Sequence, residues 1–339
     1  MTLDLLVPHW QETPDEMEPL LGSVAVQQGI DLGDVGVIIA YDGPDASELP
    51  LDEWRRRYPF RISDVHPDRG GVSHARNAAL DASAADYVMF CDADDMLCDA
   101  CGLFVVFREM ATGFDTLVSV FREQAKDAEG NLTFVNHDND STFVHGKVHR
   151  RQWLVDNGIR FDDSLTVHED SYFNILCREI ADPDRAKYCP LPFYLWRWRD
   201  ASVCRHDKKY ILKTYNEMLD SNDALIGEFI RRGMTEKAVA YCVMMTWDAY
   251  YLMNKAEWRE QENQEYRRAV ERRFSRYYRK HRELWDSMPE QQRMAVSSVV
   301  RQRSVLEGML AEDLTIGQWL RRISACCKKR KKRRNPRRG

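Results

Sequence analysis

The chain has 339 residues, 44% of them apolar, enough to build a real core in one large domain or two ordinary ones. Nine cysteines fall without a framework of spacings, which argues for reduced thiols in the cytosol; with no run of about 18 apolar residues and no basic n-region around Asp4, neither a spanning helix nor a signal peptide is expected. Net charge is −5, but the eleven Lys and Arg from Arg321 onward, with no acid among them, leave residues 1–320 at −16, an acidic body with a basic tail.

Leu3 to Val7 reads as a short apolar strand stopped by Pro8, with Pro8-His-Trp10 as the loop at its carboxyl end. Over residues 16–28, Met17, Leu20, Leu21, Val24 and Gln28 recur at helical spacing. Val35 to Ala40 reads as a second buried strand, ended by Tyr41-Asp42-Gly43-Pro44. Strand, helix and strand joined by short turns make a βαβ unit and so a parallel sheet. Arg61 to Val65 is a candidate third strand. Gly70-Gly71-Val-Ser-His-Ala-Arg76-Asn77 then opens a helix, with Ser73 as its N-cap and Ala75, Ala78, Ala79 and Ala82 on one face. Arg76 lies in the first turn, where the helix dipole disfavours a cation. That placement suggests a grip on an anion, against the plainer reading of a solvent-facing side chain.

Tyr87 to Cys91 carries no charge and reads as a strand buried on both faces. Asp92, Asp94 and Asp95 follow within four positions. Burying ionised carboxylates is costly unless a positive group compensates, and the carboxyl end of a buried strand is where open α/β sheets place ligands. Hard oxygen ligands at this spacing suit Mg²⁺ or Mn²⁺, with a phosphate as a further ligand. A second reading makes the cluster a polar turn with Asp94 or Asp95 as an N-cap. Cys98 and Cys101 form one C-x-x-C without the second pair that a structural zinc needs, and read as core packing.

Further on, Asp115 to Phe121 reads as a strand, the region of Asn131 as a polar hairpin, and Arg150 to Leu154 as a helix after Phe143-Val-His-Gly-Lys147. Gly158-Ile-Arg-Phe161 and Leu165 lead to Glu169-Asp170, which opens an apolar helix with Phe173, Ile175, Leu176 and Cys177. Pro192-Phe-Tyr-Leu-Trp-Arg197-Trp-Arg199 follows, with Ser202 and His206 beyond. Residues 209–232, 235–255, 258–284 and 289–312 are rich in helix formers and read as a helical bundle. Over 314–327, Ile316, Trp319, Leu320, Ile323 and Cys327 share a helical face, and Lys328 to Arg334 reads as a basic run without structure of its own.

Gly71-Val-Ser-His-Ala-Arg-Asn77, a short helix, and the strand ending in Asp92-Ala-Asp-Asp95 resemble the nucleotide-sugar-dependent glycosyltransferases of family two. There the turn is typically G-x-S-x-A-R-N and the strand ends in D-x-D-D. Asp42-Gly43 resembles the family's D-D-G-S turn, Pro8 its P-x-Y-N opening, Gly158 to Asp170 its G-x-x-F and E-D segments, and Tyr194 to Ser202 its closing Y-x-Y-R…S. The resemblance covers residues 1 to about 206. It implies a GT-A fold: a Rossmann-like, mostly parallel sheet flanked by helices. The chain is thus expected to divide into a GT-A domain (1–206), a helical domain (207–313), and an amphipathic helix with basic tail (314–339).

The resemblance also implies a division of labour. Asp94 is expected to ligate Mn²⁺ or Mg²⁺, with Asp92 facing the donor ribose and metal-bound water. His206 is either a further ligand or a surface imidazole beside Asp207. Donor contacts are expected from Pro8, Asp42, Arg76, Asn77, Asp92, Arg197 and Arg199, with Asp42 accepting from a base N–H and Arg76 pairing a phosphate. Arg197 and Arg199 read equally as a diphosphate clamp or as strand-surface positions. Tyr41 and Pro44 depart from D-D-G-S, which leaves the base open, with UDP the expected nucleotide. Asp170, seconded by Glu169, is the expected general base of a single inverting displacement; alone, the pair also reads as first-turn acids favoured by the helix dipole.

The expected activity is sugar transfer to a glycan or lipid-linked acceptor. The rivals are transfer to modified nucleic acid and an inactive binding scaffold. The tail suits an anionic membrane surface, at the inner face for a cytoplasmic enzyme, or nucleic-acid phosphates, or a solvated segment.

Overall fold

The computed structural model describes residues 1–200, 209–303 and 315–333. His206 and Ser202, and residues 304–312 of the expected 289–312 helix, lie outside the described residues. The chain divides into two compact units, Met1–Ser202 and Val203–Gly339.

The first unit is built on one sheet. In chain order it comprises β1 (Leu3–His9), α1 (Pro14–Ala25), β2 (Val35–Tyr41), α2 (Leu51–Arg57), β3 (Arg61–Val65), α3 (Val72–Ala82), β4 (Tyr87–Phe90) and β5 (Met96–Leu97). There follow α4 (Gly102–Thr112), β6 (Thr116–Lys126), β7 (Leu132–His137), β8 (Lys147–Arg150), α5 (Arg151–Asp156), α6 (Glu169–Ile180) and β9 (Ala186–Trp196). The strands lie in the order β3-β2-β1-β4-β8-β6-β9-β5, with β7 paired to β6. From β3 to β4 all pairings are parallel, and β2 and β4 are buried throughout, as sheets covered on both faces require. The other half is mixed rather than parallel: β8 runs antiparallel to β4 and β6, β5 to β9 and β7 to β6, while β6 and β9 are parallel.

This order sets the site. The chain winds outward from β1 to β3 and then returns to lay β4 on the other side of β1. The crevice of such a sheet opens where the order reverses, beyond the carboxyl ends of β1 and β4.

Three local readings are corrected. Pro8 does not stop β1, which runs on to His9 opposite Tyr41. The Leu6 carbonyl accepts from Cys91 N–H and the His9 carbonyl from Asp42 N–H, so alternate residues face alternate neighbours. Pro8 therefore faces the β4 side, where β4 has already ended, and its missing N–H is not needed. The first helix begins at Pro14 because Thr13 and Glu16 form a capping box. The third is capped by Gly71, not Ser73: Gly71 holds φ +122°, open to a residue without Cβ, and the Ser73 hydroxyl instead donates to the Leu165 carbonyl at 3.3 Å. The buried face of α3 is turned accordingly. It carries Ala75, Arg76, Asn77, Ala79 and Leu80, while Ala82 is exposed.

The second unit is helical: α7 (Tyr210–Arg231), α8 (Thr235–Met253), α9 (Ala256–Arg259), α10 (Gln264–Lys280), α11 (Arg282–Ser287), α12 (Glu290–Arg303) and α13 (Ile316–Arg333). The expected 258–284 run is interrupted by a 3₁₀ turn at Gln261–Asn263, where the Asn263 amide donates to the Glu257 carbonyl at 2.8 Å, and again at His281. Its core is aromatic. Trp319 meets Phe274 and Tyr250 with ring centroids 5.0 and 5.5 Å apart. Trp319, Leu320 and Ile323 are buried in this unit, so these three positions of the apolar stripe are core. Its helix continues to Arg333 through residues read as unstructured. No helix among the described residues is long and apolar enough to cross a membrane.

Candidate active site

The turn after β4 gathers carboxylates that other elements then brace. Asp95 is fully buried. One of its oxygens accepts from the Tyr194 hydroxyl at 2.7 Å and the other from the Arg197 backbone N–H at 2.9 Å. Tyr194 also accepts from Asp92 N–H at 3.0 Å. The β9 strand thus holds both ends of the turn through one phenol.

Asp92 is held from two sides. Arg76 donates to Asp92 Oδ1 at 3.0 Å and, through its other terminal nitrogen, to Glu169 Oε1 at 2.8 Å. Its guanidinium lies 5.2 Å from the Phe161 ring centroid. His145, just ahead of β8, places Nε2 3.2 Å from Asp92 Oδ2 and 3.6 Å from Asp95 Oδ2. The imidazole stacks on Tyr194 and Phe143, with centroids 5.0 and 5.6 Å away.

Electrostatics separate these groups. Burial penalises the Asp92 carboxylate, but the His145 hydrogen bond and the Arg76 charge outweigh it and hold Asp92 below the usual carboxylate range. Burial, then the charges of Asp92 and Asp94, push Asp95 well above that range. Burial and Asp92 raise Asp94 as well. Burial also lowers the His145 imidazole, against the pull of Asp92. Across the site Asp170, in the first turn of α6, is raised to about 7 by burial and by neighbouring Glu169.

Asp92, Asp95 and His145 each offer one ligand atom within 4.8 Å of the others. Two carboxylates and an imidazole whose Nε2 faces both of them suit a divalent cation. A cation there would also compensate two carboxylates that repel each other.

The residues expected from sequence fall into three groups. Asp92, Arg76, Glu169 and Asp170 converge. Asp94, Arg197 and Arg199 border them: Arg199 donates to Asp94 Oδ2 at 2.8 Å and to Glu16 Oε1 at 2.7 Å, and Arg197 to the Asp94 carbonyl at 3.0 Å. Both arginines therefore clamp the Asp94 turn to the first helix. Asn77 and Asp42 brace loops. Asn77 exchanges hydrogen bonds with the Phe161 backbone, at 2.9 and 3.1 Å, and donates to Asp163. Asp42 accepts from Gly71 N–H. Beside it Gly43 holds φ +88°, and a Cβ there would lie 2.8 Å from Gly70 Cα. Pro8, in β1, stands beside Ala40. Asp95 is legible in the sequence as a member of the carboxylate cluster, whereas His145 and Tyr194 carry no individual role there. The signal available was an imidazole between Val144 and Gly146 at the start of a strand.

The fold is similar to that of a protein named as a glycosyltransferase. Residues 4–166, a little under half of the chain, match the family model described as Glycosyl transferase family 2, so this segment is similar to the enzymes of that family. EpsJ of Bacillus subtilis, named an uncharacterized glycosyltransferase, is 25% identical over 215 residues, covering 58% of this chain and 60% of EpsJ. TarS of Staphylococcus aureus, a poly(ribitol-phosphate) β-N-acetylglucosaminyltransferase, is 25% identical over 189 residues, 52% of this chain and 32% of TarS. This chain thus spans less than two thirds of the length of these relatives. The crystal structure of S. aureus TarS 1–349 superposes with a TM-score of 0.60 at 14% identity, covering 97% of this chain and 92% of that one. Its complex with UDP-GlcNAc gives 0.57 at 16% identity, covering 94% and 98%. The shared fold is GT-A.

Proposed function

We propose that the protein transfers a sugar from a UDP-sugar to a hydroxyl of a glycan acceptor, lipid-linked or polymeric, with inversion at the anomeric carbon. The observation that carries this reading is the pairing of two differently tuned sites around Arg76: an ionised Asp92 beside Asp95 and His145, and a carboxyl at Asp170 held at about 7. The binding of UDP-GlcNAc by TarS supports the donor class.

In this reading Asp92, Asp95 and His145 would hold Mn²⁺ or Mg²⁺, the imidazole being softer than the all-oxygen sets that suit Mg²⁺. The ion supplies charge for the leaving diphosphate. In this reading Arg199 exchanges its hold on Asp94 for the donor diphosphate. Arg76 keeps Asp92 ionised and fixes Glu169. Asp170 takes the proton of the acceptor hydroxyl as its oxygen attacks the anomeric carbon and the nucleotide leaves with its electron pair. A carboxyl near 7 is well suited, since about half is ionised at neutral pH and it still holds a proton firmly.

The test is a panel of nucleotide sugars assayed with Mn²⁺ for cleavage, using wild type, His145→Ala and Asp170→Asn. Cleavage of one donor, lost in both variants while Asp170→Asn still binds UDP, supports the reading. Absence of cleavage of any donor together with no Mn²⁺-dependent UDP binding by calorimetry overturns it.

A further inference from the structure

The helical unit carries a half-open cavity of about 530 Å³ between α8, α10, α11, α12 and α13. That is within the range of about 300–1,000 Å³ typical of small-molecule sites. Three aromatic side chains, Trp247, Tyr278 and Trp285, line it together with Arg282, Arg293 and Arg321; Glu290 is the acid among the lining residues. The catalytic reading uses none of them.

Three features define what would fit. The lining is cationic, with three guanidinium groups against one carboxylate. Arg282 shares its charge with Asp286 at 3.1 Å, while Arg293 is anchored to the Trp285 and Met288 carbonyls at 2.9 and 2.6 Å. The lining is also rich in donors. Trp247 is 4% exposed, and its indole N–H has no partner among the described residues. A buried donor without an acceptor is costly and calls for one from a ligand. Finally, the rings do not form a flat slot. Trp247 and Trp285 meet at 55° with centroids 6.1 Å apart, and the Arg293 guanidinium sits 4.9 Å from the Trp285 ring centroid. Parallel faces that would grip a planar base are missing from this wedge, and the guanidinium groups do not suit an acyl chain. A puckered, hydroxyl-rich ring with an anionic group satisfies all three: C–H faces against the aromatics, oxygens for the indole N–H, and an anion for the arginines.

We propose that this cavity binds a sugar-phosphate segment of an anionic glycan. The inference goes beyond the transferase reading and does not depend on it.

The test is calorimetry on the full chain with glucose 6-phosphate, glucose, inorganic phosphate and an oligothymidylate. UDP and Mn²⁺ are kept saturating so that a donor site is filled. Two variants are compared with wild type: Arg282→Gln/Arg321→Gln, at two exposed positions, and Trp247→Phe, which keeps an aromatic ring and removes the indole N–H. Thermal melts confirm that each is folded. Glucose 6-phosphate should bind about tenfold more tightly than glucose or inorganic phosphate, weaken about tenfold in the double arginine variant, and weaken several-fold in Trp247→Phe. No binding of glucose 6-phosphate, equal binding of inorganic phosphate, wild-type affinity in both variants, or tighter binding of oligothymidylate each overturns the proposal. If glucose 6-phosphate behaves as expected while no nucleotide sugar is cleaved, the transferase reading fails and this one stands.

Discussion

Two carboxyl groups lie on either side of Arg76, one in the turn after β4 and one at the start of α6, and they titrate in opposite directions. Asp92 touches the guanidinium and the imidazole directly and stays ionised. Asp170 feels the same arginine at a remove, accepts from the Ser171 N–H at 2.7 Å, and lies beside Glu169, which itself takes Arg76. Burial is similar in kind at both. Direct contact with a cation therefore decides the outcome: where it is made the carboxylate is committed to charge, and where a neighbour intercepts it the carboxyl keeps its proton until near neutrality.

The largest effect that would break this contrast is on turnover. Asp170→Asn should lower kcat by about 10³-fold, within the span of general-base contributions, with UDP affinity unchanged by calorimetry. An equal loss of UDP affinity would put Asp170 in donor binding instead. Next is the shared cation. Arg76→Gln leaves Glu169 buried without its partner and Asp92 with His145 alone, and should destabilise the fold by about 3 kcal/mol, read by urea unfolding. Adding Glu169→Gln should return part of that loss, and a silent Arg76→Gln would show that burial alone sets the contrast. Third, His145→Ala should weaken Mn²⁺ binding by roughly 10- to 100-fold, measured with UDP present, while Mg²⁺ binding falls less.

The smallest effect concerns pH, and its sign differs between function and stability. The folded-state titration of Asp170 is raised, so its protonated form stabilises the fold below the usual carboxylate range and that stability is lost as pH rises through about 7. Turnover, which needs the ionised form, should rise over the same interval. At pH 8 Asp170→Asn should therefore raise the melting temperature by about 2–4 °C while remaining inactive. An unchanged melting temperature at pH 8 would mean that Asp170 is not penalised in the folded state.

The sequence displayed one side of this contrast better than the other. Asp92, Asp94 and Asp95 end an uncharged strand, a local pattern that fixes where they emerge. Asp170 was legible through its place at a helix start. The partners were not. His145 reaches Asp92 across 53 positions, and a lone imidazole before a strand carries no spacing signal. Arg76 read as a grip on an anion, and the anions it holds here come from its own chain, one of them 93 positions away. In the helical unit composition revealed helices, but the break at Gln261–Asn263 depends on a side-chain bond to the Glu257 carbonyl, and Trp319 of the last helix became core only because Phe274 and Tyr250 meet it.

The crossing of Gly43 over Gly70 sets a limit for anyone redesigning donor choice. These two backbones touch where the strand that ends in Asp42 meets the loop that launches the Arg76 helix. A side chain at Gly43 would push against the Gly70 backbone and shift the start of the helix that carries Arg76. A change aimed at the nucleotide would then be felt first as slackened grip on Asp92. Tyr41 and Pro44, which flank the crossing without forming it, are the positions at which substitutions can test the proposed donor contacts while leaving Asp92 and Asp95 in place.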